Sequence, residues 1–249
     1  MVQSPSSYVN NQFYDTLGER WYTANDDPVA LLRAESRLRN PWVAKQLQER
    51  FGANARVLDV GCGAGFLTNY LAEQNFQVTG LDASVGSLEV AAQHDSTSKV
   101  KYLLGDALAL PFPDGTFDAV CAMDFLEHVE DPERVIQEVS RVLRPQGVFF
   151  FHTFNRNFLA WLVVIKGVEW FVKNTPRNMH VLRLFRSPSE VSEMCARHRL
   201  SVAELHGSEP VFASRGFWQM LWSRVVPPRF EFRFTNSTRI AYTGFAVKA

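Results

Sequence analysis

Between Asp27 and Phe51 the apolar residues Val29, Leu31, Leu32, Leu38, Trp42, Val43 and Leu47 recur at helical spacing, with Pro28 and Pro41 marking starts or kinks. One or two helices are expected ahead of the core. From Arg56 the period changes. RVLDVG reads as a short buried strand, AGFLTNYLAEQ as a helix, QVTGLDAS as a second strand and turn, and VGSLEVAAQH as another helix. KYLLGDA follows as a third strand, FDAVCAMD as a fourth, DPERVIQEVSRVLRP as a helix and GVFFFHTF as a fifth strand. This alternation predicts an α/β fold with a doubly wound, mostly parallel sheet, whose ligand crevice lies at the carboxyl ends of the strands.

After Phe154 the alternation stops. NRNFLAWLVVIKGVEWFVKNTPRNMHVLRLF reads as an apolar, partly helical insertion, SPSEVSEMCARHRL as a helix capped at Ser187 or Ser189, and VAELHGSEPVF as a strand and turn. The ending, FEFRFTNSTRIAYTGFAVKA, alternates in the manner of antiparallel edge strands. One domain is expected over 1–249, with an N-terminal helical cover at 1–52, a core at 53–154, the insertion at 155–186 and the C-terminal part of the sheet at 187–249.

Composition narrows the function classes. Lys plus Arg and Asp plus Glu both total 26, a formal net charge of zero, so no general attraction to nucleic acid is expected. Cys62, Cys121 and Cys195 lie far apart without a CxxC pair, which points away from structural zinc or a disulfide framework and toward a reduced, cytoplasmic setting. The first residues lack the basic start and apolar run of a secretory signal. The segment from Phe158 to Val172 is interrupted by Lys166 and Glu169, so a membrane span is not expected there.

Gly61, Gly63 and Gly65 in GCGAG directly follow the buried strand VLDV, where absent side chains let the backbone turn sharply and approach a ligand. Asp82 ends the second strand about 20 residues later, the spacing of a carboxylate that accepts from both ribose hydroxyls. Asp106 ends the third strand, placed for an adenine amino group, and Asp59 precedes the first glycine, placed to hold the loop or meet the amino-acid part of a cofactor. Helix capping is the competing role for each acid. A nicotinamide dinucleotide would call for GxGxxG with a third glycine at Phe66, and the chain has GCGAGF.

The run from Val57 to Phe151, including LPFPDGTFDAVCAMDFLEHVEDPERVIQEVSRVLRPQGVFF, resembles the class I S-adenosylmethionine-dependent methyltransferases. The resemblance implies a cofactor set of Asp59, Gly61, Cys62, Gly63, Gly65, Asp82, Ala83, Asp106, Ala107 and Met123. An arginine from the N-terminal helices would join them, and spacing does not choose among Arg33, Arg37 and Arg39; Arg39 is carried as the candidate. In the same region Tyr14, Trp21 and Tyr22 are placed to close over a substrate.

For the acceptor, Asp124, Glu127 and His128 form a DxxEH cluster in which helical spacing allows a shared face. Two carboxylates and an imidazole suit a divalent ion such as Mg2+, which would activate a catechol; alternatively His128 removes the phenolic proton itself, and a purely structural role for LEHV stays open. MDFLEHVEDP, FHTFNRN and MHVLRLFRSPSEV narrow the resemblance to the ubiquinone-biosynthesis O-methyltransferases. It rests on Asp124, Glu127, His128, Thr153, Asn155, Arg156, Asn157, His180, Phe185, Pro188 and Glu190. It implies O-methylation of a catechol or phenol, a polyprenylated ubiquinone precursor among them, with Asn155, Arg156, Trp161 and His180 binding the acceptor. Asp124 in place of the family's glutamate and Met179 before the histidine depart from the pattern.

The insertion carries Phe158, Leu159, Trp161, Leu162, Val163, Ile165, Trp170 and Phe171, bordered by Lys166, Lys173, Arg177 and Arg183. Such an amphipathic segment serves as a lid, as an interface between copies, or as a peripheral contact of 158–172 with the inner face of a membrane. Trp218 and Trp222 add a further apolar surface. Methyl transfer to nitrogen or carbon of another small metabolite, or a cofactor- and membrane-binding module without turnover, are the alternatives.

Overall fold

The computed structural model describes residues 12–249. Short helices α1 (Gln12–Asp15) and α2 (Arg20–Thr23) lead into a long α3 (Val29–Phe51). The core then runs β1 (Arg56–Val60), α4 (Phe66–Glu73), β2 (Gln77–Asp82), α5 (Val85–Gln93), β3 (Lys101–Leu104), β4 (Phe117–Met123), α6 (Pro132–Val142) and β5 (Leu143–Phe154). The insertion holds α7 (Phe158–Ala160), a π-helical stretch Trp161–Gly167 and α8 (Val168–Phe171). It is followed by α9 (Pro188–Arg197), β6 (Leu200–Pro210), α10 (Arg215–Ser223), β7 (Phe232–Thr235) and β8 (Ala241–Lys248).

The strands form one sheet in the order β3-β2-β1-β4-β5-β8-β6-β7. β1 to β5 are mutually parallel, and β8, β6 and β7 join antiparallel. Each central strand is apolar on both faces because helices cover both. Leu58, Val120, Phe149 and Phe151 pack against Val135, Ile136 and Val139 of α6. Val57, Cys121 and Phe150, one residue out of phase, pack against Val43 and Leu47 of α3 and Leu71 of α4. The chain winds outward from β1 in one direction and from β4 in the other, so a crevice opens between their carboxyl ends.

α3 is a single helix that runs through Pro41, one of the arrangements expected there. The structure departs from sequence expectation at the C-terminal strands. β8 is not an edge strand: it sits between β5 and β6, with Ala241 to Ala246 buried, and only β7 of the C-terminal pair lies at the edge. Alternating apolar residues suit either position, and burial of both faces comes from the helices, which the strand itself does not encode. The expected helix cap is realised at Ser187, where a reciprocal capping box with Glu190 starts α9. The three cysteines are buried and unpaired. Among the described residues no helix is long and apolar enough to cross a membrane.

Candidate active site

β1 hands the chain to the glycine turn at Val60. Gly61 and Gly63 adopt φ of 70° and 51°, and the amides of Gly61 and Cys62 donate to the carbonyl of Leu81 at 2.8 and 3.2 Å. A Cβ on Gly61 would lie 2.1 Å from the Phe125 ring. The turn is therefore held by β2 and lined by bare backbone. Asp82 closes it from the other side, accepting from the amides of Gly63 and Ser84 at 2.8 Å each. Burial raises the Asp82 carboxyl, and those amides pull against the shift. Asp59 is raised well above the carboxylate range by burial and by Asp82. Asp106 both walls the cavity and braces its own turn, accepting from the Leu108 amide at 2.9 Å.

Asp59, Gly61, Cys62, Gly63, Asp82 and Asp106 line one cavity, with Ala83, Ala107 and Met123. Gly65 does not. It stands behind the turn in the left-handed conformation that starts α4, and a Cβ there would meet the Tyr102 hydroxyl at 2.8 Å. Its role is packing. Tyr14 and Trp21 stack at 5.4 Å and both line the cavity, whereas Tyr22 braces the scaffold by donating to the Ala64 carbonyl at 2.9 Å and stacking on His94.

The structure separates the three arginines. Arg33 is spent on the carbonyls of Trp21 and Ala24, and Arg37 on those of Pro228 and Phe230. Arg39 alone faces the cavity, 2% exposed, and grips Asp124 through both guanidinium nitrogens, Nη1 to Oδ1 at 2.9 Å. Its Nε is buried with no partner among the described residues.

That pair divides the DxxEH cluster. Asp124 sits at φ 55°, ahead of a short 3-10 turn over Leu126–His128, so it shares no helical face with Glu127 and His128. Burial would raise its carboxyl, but Arg39 and His152 outweigh it and hold Asp124 below the usual range. Two groups of ligand-type atoms lie within 4.8 Å of one another: Glu127 with His128 and His180, and Glu35 with Asp124 and His152. His180, far along the chain, takes the place expected of Asp124.

Glu127 is fully buried, accepts from Thr153 Oγ1 at 2.8 Å through Oε2, and keeps Oε1 without a partner among the described residues. Burial and Asp124 push it up to about 8. Burial pushes His128 down to about 4, and burial with His128 pushes His180 down to about 3. The two imidazole rings are 5.3 Å apart, with Tyr14 edge-on to His128 at 5.7 Å and Phe154 edge-on to His180 at 5.1 Å.

Of the four expected acceptor-binding residues, His180 lines the cavity. Asn155 instead donates to the Thr238 carbonyl at 2.8 Å, and Arg156 pairs with Glu190 at the surface. Trp161 packs beside Ala160 and Phe185, with Lys166 over its ring at 5.8 Å. These three fasten the insertion to β8 and α9. The far end of the cavity is apolar, walled by Leu31, Leu162, Val172, Phe217, Met220 and Phe230. Glu35 and Ser208 stand between its two ends. Sequence reasoning missed both, because neither belongs to a local motif.

A family described as Methyltransferase domain matches residues 58–151. The chain is 36% identical to a ubiquinone biosynthesis O-methyltransferase of Aromatoleum aromaticum, over 79% of this chain and 83% of that one. It is 32% identical to one of Xanthomonas oryzae pv. oryzae, over 94% and 92%. Among solved structures, magnesium protoporphyrin IX methyltransferase of Synechocystis PCC 6803, with bound S-adenosylhomocysteine, superposes with a TM-score of 0.65 at 17% identity, covering 97% of each chain. The cyclase SpnF also superposes, with a TM-score of 0.55 at 21% identity over 83% and 80%, so the fold alone does not fix the reaction. The relatives do: the protein is an S-adenosylmethionine-dependent methyltransferase, and the chain belongs to the ubiquinone biosynthesis O-methyltransferase family.

Proposed function

We propose that the protein methylates a phenolic oxygen of an aromatic acceptor bearing an apolar tail, a compound of the kind its relatives' names indicate. The observation that carries this reading is the cavity itself. At about 1220 Å3 it exceeds the roughly 300–1,000 Å3 of a single ligand site, and it joins the polar glycine turn to an apolar chamber between α8 and α10. It has room for a cofactor at one end and an acceptor at the other.

The cofactor supplies an electrophilic sulfonium methyl, so the protein's task is alignment of the acceptor and removal of its proton. Asp82 serves the ribose hydroxyls and Asp106 the adenine, while Arg39, which lines the cavity, places a positive charge for the methionyl carboxylate. His128 faces the cavity as an acceptor for the phenolic proton. Glu127, His128 and His180 also fit a divalent ion: Glu127 Oε1 is buried without a partner among the described residues, and two imidazoles with one carboxyl suit zinc or iron better than oxygen-seeking magnesium. Such an ion would lower the pKa of the phenol.

Phe158, Trp170, Trp218 and Trp222 are 71, 54, 64 and 93% exposed around the outside of the apolar chamber, with the exposed Lys173, Arg215 and Arg224 beside them. We read this surface as the place where a peripheral membrane contact delivers a lipophilic acceptor. With labelled S-adenosylmethionine and 4-alkylcatechols of increasing tail length, kcat/KM is expected to rise roughly fourfold per methylene until the chamber fills. Methylation of an amine with no turnover of any phenol would overturn the assignment. Sedimentation with anionic vesicles, lost on Trp218→Ser with Trp222→Ser, tests the surface; sedimentation unchanged by those substitutions would overturn it.

A further inference from the structure

One face of α3 walls the cavity from end to end. Leu31 borders the apolar chamber with Val172, Met220 and Phe230, and Arg39 holds Asp124 near the glycine turn. Glu35 lies four residues, about 6 Å along the helix axis, from each. It is therefore a carboxyl at the boundary between the two compartments, and it is only 6% exposed.

A carboxyl so deeply placed is costly unless its oxygens are hydrogen-bonded. Ser208 Oγ donates to Oε1, and His152 Nε2 lies 3.5 Å from the same oxygen and 3.5 Å from Asp124 Oδ1. His152 is itself fixed, with Nδ1 2.6 Å from Thr243 Oγ1. One oxygen of Glu35 is thus held by Ser208 of β6, while the Nε2 of His152 on β5 stands beside it without a hydrogen-bond partner among the described residues. The other, Oε2, takes no hydrogen bond from any described residue, although Glu35 lines the cavity. By contrast Asp124 has both oxygens on Arg39.

What would donate to Oε2 follows from the topology. The cofactor acids Asp59, Asp82 and Asp106 are at the ends of β1, β2 and β3, on one side of the crevice. Ser208 belongs to β6, four strands from β1 in the order β1-β4-β5-β8-β6, or roughly 19 Å at about 4.8 Å per strand. Glu35 is anchored on the acceptor's side. On the reading of the acceptor as a phenol, the donor the acceptor itself brings there is a ring hydroxyl.

We infer that Glu35, held by Ser208, is a specificity-determining residue that accepts a hydrogen bond from a ring hydroxyl of the acceptor other than the one methylated. The inference rests on the reading of the acceptor as a phenol. The reacting oxygen lies toward His128 while a second hydroxyl reaches Glu35, so the ring is pinned at two points before the methyl is transferred. A monohydroxy ring fills the same chamber without the second point and leaves a buried carboxyl oxygen unpaired, which is how such sites discriminate.

The experiment compares the full-length enzyme on 4-alkylphenol with the alkylcatechol and alkylhydroquinone of the same tail. Wild type is expected to favour a dihydroxy ring by roughly ten- to a hundredfold in kcat/KM, the range of a hydrogen bond to a carboxylate. Glu35→Met is expected to bring that ratio to within about threefold of unity and Glu35→Gln to restore part of it, with the calorimetric Kd for S-adenosylmethionine retained within about twofold. Should Glu35→Met fail to fold, Ser208→Ala, which releases Oε1, is expected to lower the ratio in the same direction. An unaltered ratio in Glu35→Met, or in Ser208→Ala where that variant stands in, overturns the inference. So does a cofactor Kd that weakens as much as the ratio falls, which would place Glu35 with the methyl donor. Wild type that methylates phenols without preferring two hydroxyls overturns the inference alone; wild type that methylates no phenol overturns the acceptor reading beneath it.

Discussion

Replacing Asp124 by asparagine tests the pair that divides the site. Asp124 sits at φ 55°, a conformation asparagine tolerates as well as aspartate, so the substitution removes charge without adding backbone strain. Arg39 is 2% exposed and Asp124 14%. Removing one partner of a buried ion pair costs about 3–5 kcal/mol. Asparagine can still accept one guanidinium hydrogen bond, so the lower end, ~3 kcal/mol, is expected. Against the ~5–15 kcal/mol that holds a domain together, that is a large fraction. Arg39→Met should cost a similar ~3 kcal/mol, because it leaves Asp124 buried with only His152 Nε2 nearby at 3.5 Å.

The double variant decides the matter. With both charges gone, the two costs should fall short of additivity by ~2–3 kcal/mol. Urea unfolding followed by tryptophan fluorescence reads each corner of the cycle, and at a slope near ~3 kcal/mol per M each single variant shifts the midpoint by roughly 1 M. If both single variants cost under ~1 kcal/mol and add to within ~0.5 kcal/mol, the pair does not exist in the folded protein, and the separation of Asp124 from Glu127 and His128 falls with it.

Three other substitutions or treatments probe separate parts. Gly61→Ala drives a Cβ to 2.1 Å from the Phe125 ring at a positive φ, so calorimetry should show cofactor binding weakened at least tenfold; wild-type affinity would mean the turn is not the cradle. Chelation should reduce phenol methylation, with zinc or ferrous iron restoring it more fully than magnesium, and Glu127→Gln should abolish that metal response; activity indifferent to chelator leaves His128 as the base without an ion. Arg141 beside Glu138 holds its carboxyl below the usual range, so this group stabilises the fold above its unfolded pKa of about 4.3 and stops doing so as pH falls through the lower folded value. Glu138→Gln should therefore be less stable than wild type at pH 7 and converge with it as pH falls below the folded value, and parallel curves would contradict the assignment.

Much of the fold is legible because its strands are covered on both sides. Val57 and Leu58 serve opposite faces, yet both must be apolar, and runs such as VLDV and FDAVCAM announce this directly. The position of β8 is not announced, since TGFAV fits an edge or an interior strand equally well. Pro41 leaves open whether one helix or two precede the core, and packing of Val43 and Leu47 against the sheet carries α3 past the missing amide as one helix. Burial of this kind depends on what arrives later in the chain, and periodicity records only the strand's own side of the contact.

The two halves of the cavity differ in the same way. The cofactor half is local: a strand must end in a turn with positive φ at Gly61 and Gly63, and Asp82 must come at the end of the neighbouring strand to meet the Gly63 amide. Those demands are written as short spacings, and the residues expected from sequence line one cavity, with Gly65 outside its wall. The acceptor half is assembled from a distance. Ser208 meets Glu35 across 173 positions, Thr243 meets His152 across 91, and His180 reaches His128 from beyond the insertion. No spacing encodes such meetings, so DxxEH reads as one cluster although its aspartate pairs with Arg39. Separation of this kind would also permit change, because the residues proposed to recognise the acceptor lie apart from the glycine turn and can be replaced singly. The variants at Glu35 and Ser208 measure that independence directly: acceptor preference should move while cofactor affinity stays.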